Sequence, residues 1–273
     1  MKIVHTVEEL STARAALCGT VGLVPTMGAL HNGHLSLIQN ATAHNDHTIV
    51  SVFVNPTQFL EGEDLDKYPR KTQADIKICE LSGVDILFMP TPESMYHPLE
   101  PKIAAPGTKA YILEGLARPG HFDGVLRVVL KLFNLAKPNR AYFGKKDAQQ
   151  LFLIQNMVRS FFLDIEIVPC EIVREDDGLA LSSRNIYLNS TERQEALKLC
   201  ESLKTATRLV IQGERDVERI QAEMFATLSP LPVEYVAILN RDFDTIPTVE
   251  IGNSIVLVCA RVGATRLIDN LWI

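Results

Sequence analysis

The sequence predicts an α/β protein, a Rossmann-like parallel sheet flanked by helices, followed by a smaller C-terminal α+β domain. Three observations carry that prediction. Short apolar runs alternate with amphipathic helical stretches as far as about residue 176, the pattern of strands joined by right-handed crossovers. The run Thr48-Ile-Val-Ser-Val-Phe-Val54 is β-branched and apolar on both faces, as a central parallel strand must be. After Asn185 the order changes to two long helices in succession and then two strands, which is an α+β pattern. The expected domains are therefore 1–176, Rossmann-like, nucleotide-binding and catalytic, and 177–273, a C-terminal α+β lid.

The elements follow in order. Val7 to Leu17 reads as a short amphipathic helix. A strand over Val21–Val24 leads to a helix over Gly33–His44, then to the strand Thr48–Val54. Helix Thr72–Leu81 precedes strand Val84–Met89, which Pro90 and Pro92 stop. Residues 91–109 carry many prolines and little periodicity, so they read as an irregular excursion. Helix Val125–Ala136, strand Arg140–Phe143, helix Asp147–Phe161 and strand Ile165–Val168 complete the first pattern. Helices over Thr191–Gln212 and Asp216–Leu228 end at Pro230 and Pro232, and strands Val233–Leu239 and Ser254–Ala260 follow.

Bulk properties exclude several classes. The 273 residues are 47% hydrophobic and 22% charged, an ordinary globular balance. A net charge of −6 argues against a nucleic-acid partner, which needs a basic face, but permits a small anionic substrate in a local cationic cleft. No apolar run approaches membrane-spanning length. Glu8 and Glu9 interrupt any apolar core near the start, so no signal peptide is read there. The five cysteines are scattered without a C-x-x-C pair, which reads as free thiols in a reducing cytoplasm.

The chemistry concentrates at three strand ends. The first is Val24 to Leu35, Val-Pro-Thr-Met-Gly-Ala-Leu-His-Asn-Gly-His-Leu. A strand that turns through glycines into a helix start presents unpaired N–H groups and a partial positive charge to phosphate. There is no G-x-G-x-x-G. Gly28 and Gly33 have P-loop spacing, but His34 and Leu35 stand where lysine and Ser/Thr would be needed. His31 and His34 would have to supply the positive contacts, with Gly33 allowing close backbone approach. The plain alternative is a strand–turn–helix with two ordinary histidines.

The second end is Phe53-Val-Asn-Pro-Thr-Gln-Phe59, where Asn55 and Gln58 lie beyond the carboxyl end of a parallel strand. A glutamine both donates and accepts, which suits a carboxylate and hydroxyls. The third is Tyr142-Phe-Gly-Lys-Lys-Asp-Ala-Gln-Gln150. Gly144 permits a turn, Lys146 suits phosphate or developing negative charge, and Gln150 falls one turn further on. A later loop, Leu181-Ser-Ser-Arg-Asn185, gathers hydroxyls and a guanidinium suited to triphosphate oxygens.

His-x-Gly-His after a first strand resembles the signature of the nucleotidyltransferase superfamily. The longer string Pro25-Thr-Met-Gly-Ala-Leu-His-Asn-Gly-His34 resembles the pantothenate synthetase family much more narrowly, and the other stretches follow in that family's order from Val24 to Asn185. The resemblance implies an ATP-dependent ligase that condenses pantoate with β-alanine through pantoyl adenylate, releasing pyrophosphate and AMP. It implies catalytic roles for His34, His31, Lys146 and Arg184, with the second histidine a proton donor. It implies ATP contacts from Thr26, Met27, Gly28, Ala29, Leu30, His31, Asn32, Gly33, His34, Gly144, Lys145, Lys146, Asp147, Val173, Leu181, Ser182, Ser183 and Arg184. Pantoate falls to Gln58, Gln150 and Asn55, and β-alanine to Gln58. Glu114-Gly-Leu-Ala-Arg-Pro-Gly-His-Phe122 resembles a flexible wall from which Arg118 reaches the phosphates. ATP as substrate and magnesium are implied, with Asp75 the remaining candidate metal ligand where relatives carry more carboxylates. A cytoplasmic homodimer is expected, with neither nucleic acid nor membrane as partner. The rivals are a small-molecule cytidylyl- or adenylyltransferase on the same fold and a nucleotide-binding regulatory module without turnover.

Overall fold

The computed structural model describes residues 1–273 and divides them into two compact units, 1–145 with 149–171, and 146–148 with 172–273. The first unit is built on six strands, β1 (Lys2–Val4), β2 (Val21–Thr26), β3 (His47–Val52), β4 (Ile86–Phe88), β5 (Arg140–Gly144) and β6 (Glu166–Cys170). All pairs are parallel, in the order β1-β4-β3-β2-β5-β6. The chain runs outward from β2 through β3 to β4 on one side, and from β5 to β6 on the other. The order therefore reverses between β2 and β5, and a crevice at such a point is where open α/β sheets hold ligands.

The crossovers are helices α1 (Val7–Ala15), α2 (Asn32–His44), α3 (Thr72–Leu81), α6 (His121–Ala136) and α7 (Ala148–Ser160), with single turns α4 (Pro92–Met95) and α5 (Glu114–Ala117) between α3 and α6. Local chemistry sets their starts. Thr6 and Glu9 form a capping box at α1, and Pro92 enters α4 at a position where its missing N–H costs nothing. On one face of the sheet, Val24, Val50 and Leu87 pack with Leu37, Ile38 and Ala41 of α2 and Cys79 of α3. Burying a Val or Leu of this kind is worth about 1.5–3 kcal/mol, so the central strands are the least free to move.

The second unit holds α8 (Ser190–Ile211), α9 (Val217–Leu228) and an antiparallel sheet in the order β7 (Val233–Asn240), β8 (Ser254–Val262), β9 (Thr265–Trp272). An Asn189–Glu192 capping box starts α8, and Asp216 caps α9. Ala196, Leu199 and Leu203 of α8 pack with Ile220 and Met224 of α9 against Val256 and Val258.

The α/β class and the C-terminal α+β pattern are as the sequence predicts. Two strands lie outside that prediction. β1 is three residues at the sheet edge, too short to show a period. β9 buries Asp269 and Asn270, so its alternation does not read as apolar. Helix α6 begins four residues before the predicted Val125, because His121 and Phe122 are buried as part of it.

Candidate active site

Strands β3, β2 and β5 are neighbours, so the loops after Val52, Thr26 and Gly144 leave the same edge of the sheet. The loop after β2 is held from inside. Thr26 donates its hydroxyl to Ser51 O at 2.8 Å and accepts Gly28 N–H at 3.2 Å. Asp75, on the first turn of α3, accepts Ala29 N–H at 3.0 Å on one oxygen and Leu30 N–H at 2.8 Å on the other. Gly28 has φ +86°, and a Cβ there would lie 2.9 Å from Val52 and 3.1 Å from Asp75 Oδ2, so only glycine fits. The N–H groups of Gly28, Ala29 and Leu30 are thus spent within the protein. These residues shape the approach to α2.

His31 is the N-cap of α2. Its Nδ1 accepts Gly33 N–H at 3.1 Å, while His34 Nδ1 faces His31 N–H at a longer 3.4 Å. The two rings lie against each other, centroids 4.1 Å apart and planes tilted by 33°. A neutral imidazole whose Nδ1 accepts carries its proton on Nε2. With Nδ1 turned to a backbone N–H, each ring leaves its Nε2 as the nitrogen that can donate, beside a helix N-terminus. His-x-Gly-His gives this result because residues at the N-cap and at the third helical position share one side of the first turn.

After β3, Pro56–Gln58 forms a 3-10 turn capped by Asn55. Asn55 is 1% exposed and saturated. Its Oδ1 accepts from Tyr96 OH at 2.6 Å, Thr57 Oγ1 at 2.9 Å and Thr57 N at 3.2 Å. Its Nδ2 donates to Gln58 Oε1 at 3.1 Å and to Gly124 O at 3.2 Å. Asn55 therefore orients Gln58, whose Nε2 is left to donate, here to Met27 Sδ at 3.3 Å. Helix α6 presses on this turn through Gly124, where a Cβ would lie 2.2 Å from Thr57 O.

The segment resembling a flexible wall is anchored. Arg118 makes a two-point contact with Glu63, at 2.6 and 2.7 Å, and also donates to Gln58 O at 3.2 Å. Its guanidinium thus joins Glu63 to the turn that carries Gln58. His121, 7% exposed, donates from Nδ1 to Gln58 O at 2.8 Å, and its Nε2 faces Arg118 Nη1 at 3.0 Å. Burial first, and then the Arg118 charge, lower its pKa to about 4. The ring is neutral, so Nε2 accepts from the guanidinium. Burial alone would raise Glu63, but Arg118 and the Leu60 N–H hold its carboxyl below the usual range.

At the third strand end, Gly144 ends β5 and Lys145 pairs with Glu171. Gln150 lies half-buried on α7. Its neighbour Gln149 is buried and clamps the excursion, accepting Glu114 N–H at 3.1 Å and donating to Lys109 O and Ile112 O at 2.9 Å. Sequence reasoning misses Gln149, because nothing local distinguishes it from Gln150.

In the second unit, Lys146 and Asp147 occupy the turn before α7, with Lys146 Nζ 3.7 Å from Asp147 Oδ1. Asn270 Nδ2 donates to Lys146 O at 2.7 Å. Residues 174–180 form a tight hairpin, after which Val173 O accepts Leu181 N–H at 3.1 Å. Ser182 Oγ accepts Arg184 N–H at 3.3 Å as cap of a 3-10 turn over Ser183–Tyr187. Asn185 ties this turn to Glu175 and to Ala180 O. Arg174 grips Asp269 at 2.6 and 3.0 Å, a partnership that only the missed strand β9 could have revealed.

The side chains do not build a magnesium cage. No group of three or more His, Cys, Asp or Glu is arranged to hold a metal. Asp75, the candidate ligand, has both oxygens on backbone amides, and burial raises its carboxyl above the ordinary range despite those two N–H groups.

Comparison with known proteins gives a consistent result. The family model described as pantoate-beta-alanine ligase matches residues 2–272. A pantothenate synthetase of Aliarcobacter butzleri is 59% identical over 273 residues, covering 100% of both chains. The crystal structure of pantothenate synthetase from Thermus thermophilus superposes with TM-score 0.94 at 42% identity, covering 99% of each chain. That of a pantoate-beta-alanine ligase from Francisella tularensis, complexed with beta-gamma ATP and beta-alanine, gives 0.84 at 37% identity, covering 100% of this chain and 97% of that one.

Proposed function

The chain belongs to the pantoate-beta-alanine ligase family, and from that premise we propose how its residues divide the work. The protein is an ATP-dependent ligase that joins pantoate to β-alanine. A carboxylate does not react with an amine until one of its oxygens can leave. In the proposed scheme a pantoate carboxylate oxygen attacks the α-phosphorus of ATP. The bond from that phosphorus to the bridging oxygen breaks, and pyrophosphate departs with the electron pair. The β-alanine amine then attacks the acyl carbon, the acyl–oxygen bond breaks, AMP leaves, and the nitrogen loses a proton.

Both nucleophiles come from substrates, so the protein positions groups and neutralises charge. The observation that carries this reading is the pair of apposed histidine rings beyond the carboxyl end of β2, each with Nδ1 turned to a backbone N–H so that Nε2 is the nitrogen left to donate. His31 and His34 are assigned to the phosphates, where negative charge grows as pyrophosphate leaves. Lys146 is assigned to phosphate and the pantoate carboxylate, and Arg184 with Ser182 and Ser183 to triphosphate oxygens. Gln58 and Gln150 are assigned to pantoate, and Gln58 also to β-alanine. Asn55 acts on pantoate through Gln58, since its own polar atoms are already paired. Thr26, Met27, Asn32, Gly33, Gly144, Lys145, Asp147, Val173 and Leu181 are assigned to the surround of ATP. Magnesium would arrive on the nucleotide. We read the protein further as a cytoplasmic homodimer, which sedimentation at micromolar concentration tests.

The scheme is tested by omitting each substrate in turn. ATP and pantoate without β-alanine should release about one pyrophosphate per site and then stall, because a closed site protects the adenylate from water. AMP should appear only when β-alanine is added. A requirement for β-alanine before any pyrophosphate forms would refute the two-step order. A transferase that keeps the nucleotide in its product would release no AMP. The family match through residues 2–272 supports the ligase over that rival.

A further inference from the structure

We propose that Asp75 is a positioning residue, the anchor that sets the loop bearing His31 and His34, and that it is not a magnesium ligand. The inference rests on the assignment of those histidines to phosphate. Asp75 is 1% exposed. Its two oxygens take the N–H groups of two consecutive residues, Ala29 at 3.0 Å and Leu30 at 2.8 Å. Ala29 has φ +49° and Gly28 φ +86°. The left-handed region is disfavoured for a residue with a Cβ, so Ala29 must be held there from outside the loop. A carboxylate is the smallest group that accepts two such N–H bonds at once and still fits beside Gly28, whose absent Cβ would sit 3.1 Å from Asp75 Oδ2. With an amide in its place, one of the two accepting oxygens becomes an NH2 group, a donor set against a backbone N–H.

The position on α3 suits this task. Asp75 lies in the first turn of that helix, where a negative charge is favoured by the helix dipole. The far end of the tether is the catalytic element. Leu30 precedes His31 directly, and His31 caps α2 through Gly33 N–H. A shift of the Ala29–Leu30 peptide therefore moves both imidazoles. An oxygen already committed to a short amide contact is poorly placed to displace water from magnesium, an ion that demands near-ideal geometry.

The test is pantoate-dependent ATP–pyrophosphate exchange by Asp75→Asn at several magnesium chloride concentrations, with circular dichroism as the check on folding. The folded variant should lose about tenfold to a hundredfold in exchange kcat, the cost of displacing a catalytic group by up to about 1 Å, with pantoate KM changed less than about threefold. The half-saturating magnesium concentration should stay that of the parent, and excess magnesium should not restore the rate. A folded variant at parental rate, or one rescued by magnesium, overturns the proposal. Should Asp75→Asn fail to fold, hydrogen exchange on the parent protein in EDTA decides. Ala29 and Leu30 amides should be protected without metal or nucleotide, and exchange as fast as in exposed loops overturns the anchor. If His34→Ala keeps full activity while these two amides stay protected, the histidine assignment fails and the anchor stands.

Discussion

Gly124→Ala adds one methyl group where α6 meets the turn that carries Gln58. The new Cβ would lie 2.2 Å from Thr57 O and 2.7 Å from Gln58 N, more than 1 Å inside ordinary contact with the oxygen. Both neighbours are backbone, so the turn or the helix has to move by roughly 1 Å. Overpacking of this kind costs about 1–3 kcal/mol. Replacing glycine inside a helix returns about 1 kcal/mol. The net loss of about 0–2 kcal/mol corresponds to a fall in Tm of a few degrees, at roughly 2–4 °C per kcal/mol for a chain of this size class. Pantoate use should suffer more. Moving the Gln58 backbone breaks the alignment that Asn55 and His121 impose on it. A hydrogen bond from a neutral amide to a carboxylate is worth about 1.5–3 kcal/mol, so pantoate KM should rise about tenfold to a hundredfold. Steady-state kinetics varying pantoate and ATP separately, with a melting curve, measures both. Unchanged pantoate KM at unchanged Tm would show that α6 does not buttress the turn. Equal losses for pantoate and ATP would show that the turn is not the pantoate side of the site.

Three further expectations are of the same kind. His34→Ala should lower pantoate-dependent pyrophosphate exchange by about a hundredfold or more, as loss of one preorganised hydrogen-bond donor to developing charge does, with Tm little changed. Near-normal exchange in the folded variant sinks the assignment. Gln58→Ala should raise pantoate KM while ATP binding stays close to normal, and Arg184→Ala should do the reverse. Separate titrations of the two ligands distinguish them, and parallel losses count against the division. His121 has its pKa lowered from 6.5 to about 4, so between those values the unfolded chain binds a proton that the folded chain does not. Its contribution is present in full above about pH 6.5 and is lost as pH falls toward 4, with a slope of up to about 1.4 kcal/mol per pH unit. Urea unfolding at pH 7, 5.5 and 4.5 should show a shallower decline for His121→Gln, and an identical decline would remove His121 as the source.

The parts legible in the sequence are those whose chemistry is local. The strand Val21–Thr26, the glycines and His31-x-Gly-His34 specify a strand, a turn and a capped helix within 24 residues, and each step follows from near neighbours. The parts that are not legible depend on distant partners. Asp75 reads as an isolated carboxylate until α3 brings it under Ala29 and Leu30. Arg118 gives no local sign of its partner Glu63, 55 residues earlier. β9 escapes notice because Asp269 and Asn270 are both buried, a cost that Arg174 and Lys146 O offset. Polar residues inside a strand break the alternation by which strands are recognised.

The hydrogen bond from Asn270 to Lys146 O spans 124 residues of chain, and the Arg174–Asp269 pair spans 95. Synthesis proceeds at about 5–20 residues per second, so on the order of ten seconds separates the emergence of Lys146 from that of the amide that fixes its backbone. Throughout that interval β2, β3 and β5 can already pair, while Lys146 still lacks its partner. A ribosome-bound chain can thus pair β2, β3 and β5 before Lys146 is fixed, and ligase activity should appear only after the last residues have emerged.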